Sequence, residues 1–152
     1  MVDNEPGVLS RVTALFSGRG FNIESLSVGE TIDPTISRIT LVTSGSPPII
    51  EQIIKQLRKL INVIKVIDLT ETAFVEREML LIKVKAEAAS RAEVLRIVDI
   101  FRCKVVDVSA HFYTIEVTGA EGKIEAILDI LSPLGVEEVV RTGKIALARS
   151  KK

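Results

Sequence analysis

The strongest constraint on the fold is an alternation of hydrophobic period that occurs twice along the chain. Val8, Leu9, Val12, Leu15 and Phe16 recur at helical spacing and predict a helix over 8–18, closed by Gly18-Arg19-Gly20. Phe21 to Val28 then alternates large apolar with polar side chains, the period-two pattern of a half-buried strand. Thr31-Ile32-Asp33-Pro34-Thr35 reads as a turn, and the β-branched run Ser37 to Thr43 as the second strand of a hairpin. A wide apolar stripe from Ile49 to Ile61 predicts a second helix over 48–61, and Val63 to Leu69 a further strand. With one strand ahead of Asn4 the order is βαββαβ, the ferredoxin-like unit of two helices on one face of a four-stranded antiparallel sheet. Only Met1 and Val2 precede Asp3, so that first strand is either very short or truncated.

The second half repeats the order. Glu78 to Lys85 places Leu80, Ile82 and Val84 on one strand face. Ser90, with Glu93 at the capping-box position, starts a helix carrying Val94, Leu95, Val98 and Phe101. Lys104 to Val108 and Phe112 to Val117 form a hairpin, Ile124, Ile127, Leu128 and Leu131 mark a fourth helix, and Val136 to Leu147 holds the last strands. The expected class is α+β, two ferredoxin-like βαββαβ domains over 1–72 and 73–152.

Composition removes several functions. Twenty basic residues balance twenty acidic ones, so no global field draws the chain to nucleic acid or an anionic membrane. With 4% aromatic residues the sheets lack the base-stacking platforms of an RNA-recognition motif, which leaves RNA binding a weak alternative. Cys103 is the only cysteine, so no internal disulfide forms and a reducing compartment is expected. Apolar runs such as Met79 to Ile82 fall far short of the ~20 residues of a membrane span, and the cytoplasm is the expected location. His111, the sole histidine, has no nucleophile in a pairing motif, and with Cys103 it supplies only two ligands of a zinc site. Gly18-Arg19-Gly20 follows a helix instead of opening one, and reads as a helix stop, not a phosphate loop. No catalytic constellation, metal site or cofactor site is expected.

One stretch suggests a ligand. Asn4-Glu5-Pro6-Gly7-Val8-Leu9-Ser10 joins a polar turn to the first turn of a helix, where proline costs no hydrogen bond and glycine leaves the backbone bare. The free N–H groups of such a turn are oriented to receive a small anion. Equally, Pro-Gly punctuates many strand-to-helix connections.

This stretch, together with Arg19-Gly20-Phe21-Asn22-Ile23-Glu24-Ser25-Leu26, closely resembles the small regulatory subunits of acetohydroxyacid synthase (acetolactate synthase). Asp33-Pro34-Thr35-Ile36-Ser37-Arg38, Val75-Glu76-Arg77-Glu78 and Phe101-Arg102-Cys103-Lys104-Val105-Val106-Asp107-Val108 resemble motifs of the same family, with Cys103 where a smaller residue is more usual. The Pro-Gly turn alone would identify only an ACT domain, the general amino-acid-sensing module. The resemblance implies that the first domain is an ACT domain and that the chain is a non-catalytic partner of a large catalytic subunit in branched-chain amino-acid synthesis. Thiamine diphosphate, magnesium and FAD would reside in that partner. It further implies that the chain raises the partner's activity and confers feedback inhibition by valine, bound between the ACT domains of two subunits whose sheets join in a homodimer.

The implied effector site is Asn4, Gly7, Ser10 and Asn22, with Val8 and Leu9 supplying amides. On chemical grounds the effector carboxylate suits those amides, Asn4 and Asn22 offer oxygens to its ammonium, and Leu9 and Ile23 offer apolar surface to its side chain. Asn22 as a strand-entry cap and Ser10 as an ordinary first-turn residue are the structural alternatives. A stand-alone ACT sensor serving a different enzyme is the second functional reading.

Overall fold

A computed structural model of the chain describes residues 1–150. Two compact units divide it, Met1–Phe74 with the chain from Ala148, and Val75–Leu147.

In the first unit β1 (Val2–Asp3), α1 (Val8–Gly18), β2 (Ser25–Glu30), β3 (Ile36–Val42) and α2 (Pro47–Leu57) follow in order. The strands form an antiparallel sheet of order β1-β3-β2, with Val2 and Glu30 both opposite Ser37 from either side. Val12, Leu15 and Phe16 of α1 and Ile53 of α2 form its buried core, against which Ile39 and Leu41 of β3 pack.

Three boundaries differ from the sequence expectation. β2 begins at Ser25, not Phe21, because Phe21 and Ile23 pack against the core and only the Glu24 amide, bonded to the Val42 carbonyl at 2.8 Å, starts the pairing. α2 ends at Leu57, not at 61, since the amides of Lys59 and Leu60 turn back to the carbonyls three residues earlier and tighten the last turn. The strand expected over 63–69 is reduced to a bridge between Val63 and Val2. The amides of Ile64 and Lys65 converge on the Met1 carbonyl, and the two-residue β1 offers no longer ladder.

The end of α1 follows from sequence chemistry. Gly20, at φ 68°, donates its amide to Ser17 and Phe21 donates to Phe16, the paired bonds of a Schellman stop. The Phe16 and Phe21 rings close it edge to face, with centroids 6.4 Å apart.

The second unit runs β4 (Phe74–Lys85), α3 (Arg91–Ile100), β5 (Lys104–Val108), β6 (Phe112–Gly119), α4 (Glu121–Gly135), β7 (Val136–Arg141) and β8 (Ile145–Ala148). Its sheet has the order β5-β6-β4-β7, with β8 also paired to β4. Alternation along β4 buries Leu80, Ile82 and Val84 completely against Val94 and Ile97 of α3 and Ile127 and Leu131 of α4. Both units thus carry the βαββαβ order, the first with its last strand reduced to the Val63 bridge.

Ser90 precedes α3 as expected but makes no side-chain cap. Its own backbone is already helical, so its hydroxyl turns back to the Glu87 carbonyl at 3.5 Å, and Glu93 pairs with Arg96 instead.

Candidate functional site

The turn before α1 is built by Gly7. Its φ of 85° lies in the left-handed region, where a side chain is strained, while a Cβ there would meet nothing within 4 Å. Backbone conformation, not crowding, therefore calls for glycine. The Val8 amide bonds Glu5 at 3.3 Å and the Arg11 amide bonds the Gly7 carbonyl at 3.0 Å. Between them the Leu9 and Ser10 amides lie in the first helical turn, where the helix itself provides no acceptor. Val8 sends its side chain into the protein at 4% exposure, whereas Leu9 and Ser10 face outward.

Asn4 is held by the β2–β3 hairpin. Its Nδ2 donates to a Glu30 carboxylate oxygen at 3.1 Å and to the Pro34 carbonyl at 2.9 Å, and its backbone amide donates to the Thr35 carbonyl at 2.8 Å. The hairpin turn is itself fixed by Asp33, whose Oδ1 accepts from the Thr35 amide at 2.9 Å and the Thr35 hydroxyl at 2.7 Å. Those donors hold the Asp33 carboxyl below its ordinary range. On the other flank, Asn62 donates to Asp3 and accepts from Arg11, tying β1 to α1.

Asn22 and Ile23 lie elsewhere. They follow α1, while Asn4 precedes it, and 11 helical residues separate the two groups by about 16 Å at 1.5 Å per residue. Asn22 is exposed, with its backbone carbonyl accepting from Thr43 at 2.6 Å, and Ile23 is half-buried against the core. Within one chain, then, Asn4, Gly7, Val8, Leu9 and Ser10 gather at one end of α1, and Asn22 and Ile23 sit at the other. A shallow cleft along α2, lined by Pro48, Gln52, Lys55 and Arg58 among others, contains none of the seven.

Sequence reasoning passed over Glu30. It lies two residues past the strand expected over Phe21 to Val28, and only the pairing register, which sets it across β3 from Val2, brings it to Asn4.

The second unit holds two further polar groupings. Glu78, at 5% exposure, pairs with Arg141 at 3.7 Å, while Lys144 pairs with Glu121 at 2.6 Å and Glu76 accepts the Glu121 amide at the start of α4. Glu76 and Glu78 thus tie β4 to the start of α4 and to the end of β7. Cys103 and His111 flank opposite ends of β5. Burial pushes the Cys103 thiol up, partly offset by Lys123, and His111 is exposed with Glu87 at 3.6 Å. Among the described residues no three histidine, cysteine or carboxylate side chains cluster as metal ligands, and no helix is long and apolar enough to cross a membrane.

The chain is similar along its whole length to known proteins. Residues 1–65 match the family described as AHAS small subunit-like ACT domain, and residues 77–150 that of the small subunit of acetolactate synthase. The acetolactate synthase small subunit of Aquifex aeolicus is 55% identical over 149 residues, 97% of this chain and 78% of that one. A probable acetolactate synthase small subunit of Archaeoglobus fulgidus is 49% identical over 152 residues, 100% of this chain and 95% of that one. The crystal structure of the acetolactate synthase small subunit from Thermotoga maritima superposes with a TM-score of 0.86 at 44% identity, covering 99% of this chain and 94% of that one. Two family matches in tandem, on two units of the same order, leave one assignment: the chain belongs to the acetolactate synthase small-subunit family.

Proposed function

We propose that the chain is the regulatory subunit of a cytoplasmic acetolactate synthase, raising the activity of a thiamine-diphosphate-, magnesium- and FAD-dependent catalytic subunit and making it sensitive to valine. The observation that carries the sensing role is the turn at Gly7, where first-turn amides of α1 lie in the same loop-and-helix start as the anchored Asn4. An amino-acid carboxylate suits the amides, and its ammonium suits side-chain oxygen.

The division of the site between the two ends of α1 supports a dimer. β2 is an outer strand of its sheet, the position at which a second copy can add its own strand. Six residues of β2 span ~20 Å, and an antiparallel two-fold pairing along that edge sets the Ser25 end of one copy beside the Glu30 end of the other. Asn22 of a second copy is thereby carried toward Asn4 and Gly7. Each of the two equivalent sites then draws on both chains.

Valine regulation follows as linkage. If valine disfavours the arrangement that activates the catalytic subunit by a typical ~1–3 kcal/mol, the activated complex binds valine more weakly by the same factor.

The test combines calorimetry with the reconstituted holoenzyme. L-Valine, not D-valine, binds the wild-type chain. Asn22→Ala abolishes that binding and valine inhibition while still activating the catalytic subunit. Loss of activation together with inhibition in a folded, dimeric Asn22→Ala chain would refute separate sensing and activating functions. Stereospecific binding without any activation would instead favour a sensor that serves another enzyme.

A further inference from the structure

We infer that Glu30 sets the polarity with which the effector lies in its site, by fixing Asn4 as an acceptor and supplying a carboxylate to the effector's ammonium. The inference rests on the amino-acid-sensing reading above and adds to it a residue and a selection rule.

Asparagine is ambiguous as a ligand contact, because rotation of its amide presents either two donors or an acceptor. Here the neighbours remove the ambiguity. A Glu30 carboxylate oxygen at 3.1 Å and the Pro34 carbonyl at 2.9 Å are both acceptors and cannot donate. They take up both amide hydrogens of Asn4, and the flipped amide would set its oxygen against two others. Asn4 Oδ1 is therefore the atom left for a ligand, and it receives only a donor.

The sheet register places this pair beside α1. Val2, Ser37 and Glu30 lie in one row across β1, β3 and β2, and Ser37 falls on the same face of β3 as Ile39 and Leu41, which pack against the core residues of α1 and α2. Side chains alternate along a strand and neighbours in a row share a face, so Glu30 belongs to the face that carries α1. Asn4, two residues beyond Val2, reaches it there. The site consequently has two poles: N–H groups at the start of α1 for a carboxylate, and Asn4 Oδ1 with the second Glu30 oxygen for an ammonium. The ligand class is the α-amino acid with its ammonium intact, and the corresponding acid without nitrogen is excluded because it leaves the Glu30 pole unpaired.

Competitive calorimetry on the full chain with L-valine and 3-methylbutanoate, which is valine without its ammonium, tests this. The wild type prefers valine strongly. Glu30→Gln removes the carboxylate offered to the ammonium and leaves the Pro34 carbonyl as the one obligate acceptor that orients the Asn4 amide. It lowers valine affinity about tenfold, the usual order for a lost charge-assisted hydrogen bond, and the preference over 3-methylbutanoate collapses at an unchanged melting temperature. Glu30→Asp, still acceptor-only, retains the preference. A Glu30→Gln chain with unchanged preference, or one that loses affinity for both ligands equally, overturns the inference while the sensing reading stands. A wild-type chain that binds neither ligand overturns both.

Discussion

Arg102 and Gly20 occupy the same place in the two units. Each is the residue after the cap of a helix that precedes a hairpin, and each closes the same stop. Arg102 donates to Asp99 and Cys103 donates to Val98, as Gly20 donates to Ser17 and Phe21 to Phe16. Gly20 adopts its φ of 68° at little cost, whereas Arg102, at φ 53°, has a Cβ that crowds its own backbone. Its side chain is exposed. Arg102→Gly should therefore raise stability by about 0.5–1 kcal/mol, the relief of left-handed strain less the entropy glycine gains on unfolding. Urea denaturation monitored in the second unit measures it; a loss of stability would mean that the guanidinium makes a contact worth more than the strain. The Gly18-Arg19-Gly20 stop was legible because glycine advertises its conformation. The matching stop at Phe101-Arg102-Cys103 carries no such mark, and the Ser90 cap failed for the converse reason, a favourable residue whose backbone is set by its neighbours.

Among the elements, the β2–β3 hairpin does most to shape the candidate site, since its Glu30 and Pro34 accept both amide hydrogens of Asn4. Its turn depends on the Asp33 carboxylate, which accepts twice from Thr35. Hydrogen bonding, chiefly from the Thr35 hydroxyl and then its amide, lowers the Asp33 pKa below its ordinary 3.8. A depressed folded-state pKa contributes stability that is complete above the unfolded value and lost as pH falls through the folded one. Asp33→Ala should thus melt below the wild type at neutral pH, and the gap should close as pH is taken well below 3.8. Thermal melts across that window decide it, and a gap independent of pH would show that the aspartate acts through turn propensity alone. The hairpin was readable from alternation and from Asp33-Pro34-Thr35. The strand expected over 63–69 was not realised, because a strand extends only as far as its pairing partners do, and the two-residue β1 gives Val63 a single bridge. Periodicity records which face is apolar and says nothing of partner length, just as it could not announce that Glu30 meets Asn4.

The two units differ in how well they close over their cores. In the second, Leu80, Ile82, Val84, Val94, Ile115, Ile127 and Leu131 are completely buried, whereas the first unit's cluster has four buried side chains, Val12, Leu15, Phe16 and Ile53, none of them completely so, and Leu57 and Leu60 at its margin are part-exposed. Buried apolar area dominates stability, so the first unit should unfold at the lower temperature. An effector confined to the native first unit stabilises it by RT ln(1 + [L]/Kd), about 2.7 kcal/mol at a hundredfold excess over Kd. Scanning calorimetry should then show two transitions, of which valine raises only the lower. Ligand-sensing parts are drawn from the less stable end of a protein because their equilibria must yield to modest binding energies, and the unequal cores suit the sensing role proposed for the first unit. If valine raised the upper transition alone, the site would have to be sought in the second unit. A single transition raised as a whole would mean that the two units unfold cooperatively, and the open core of the first would then draw its stability from the closed core of the second.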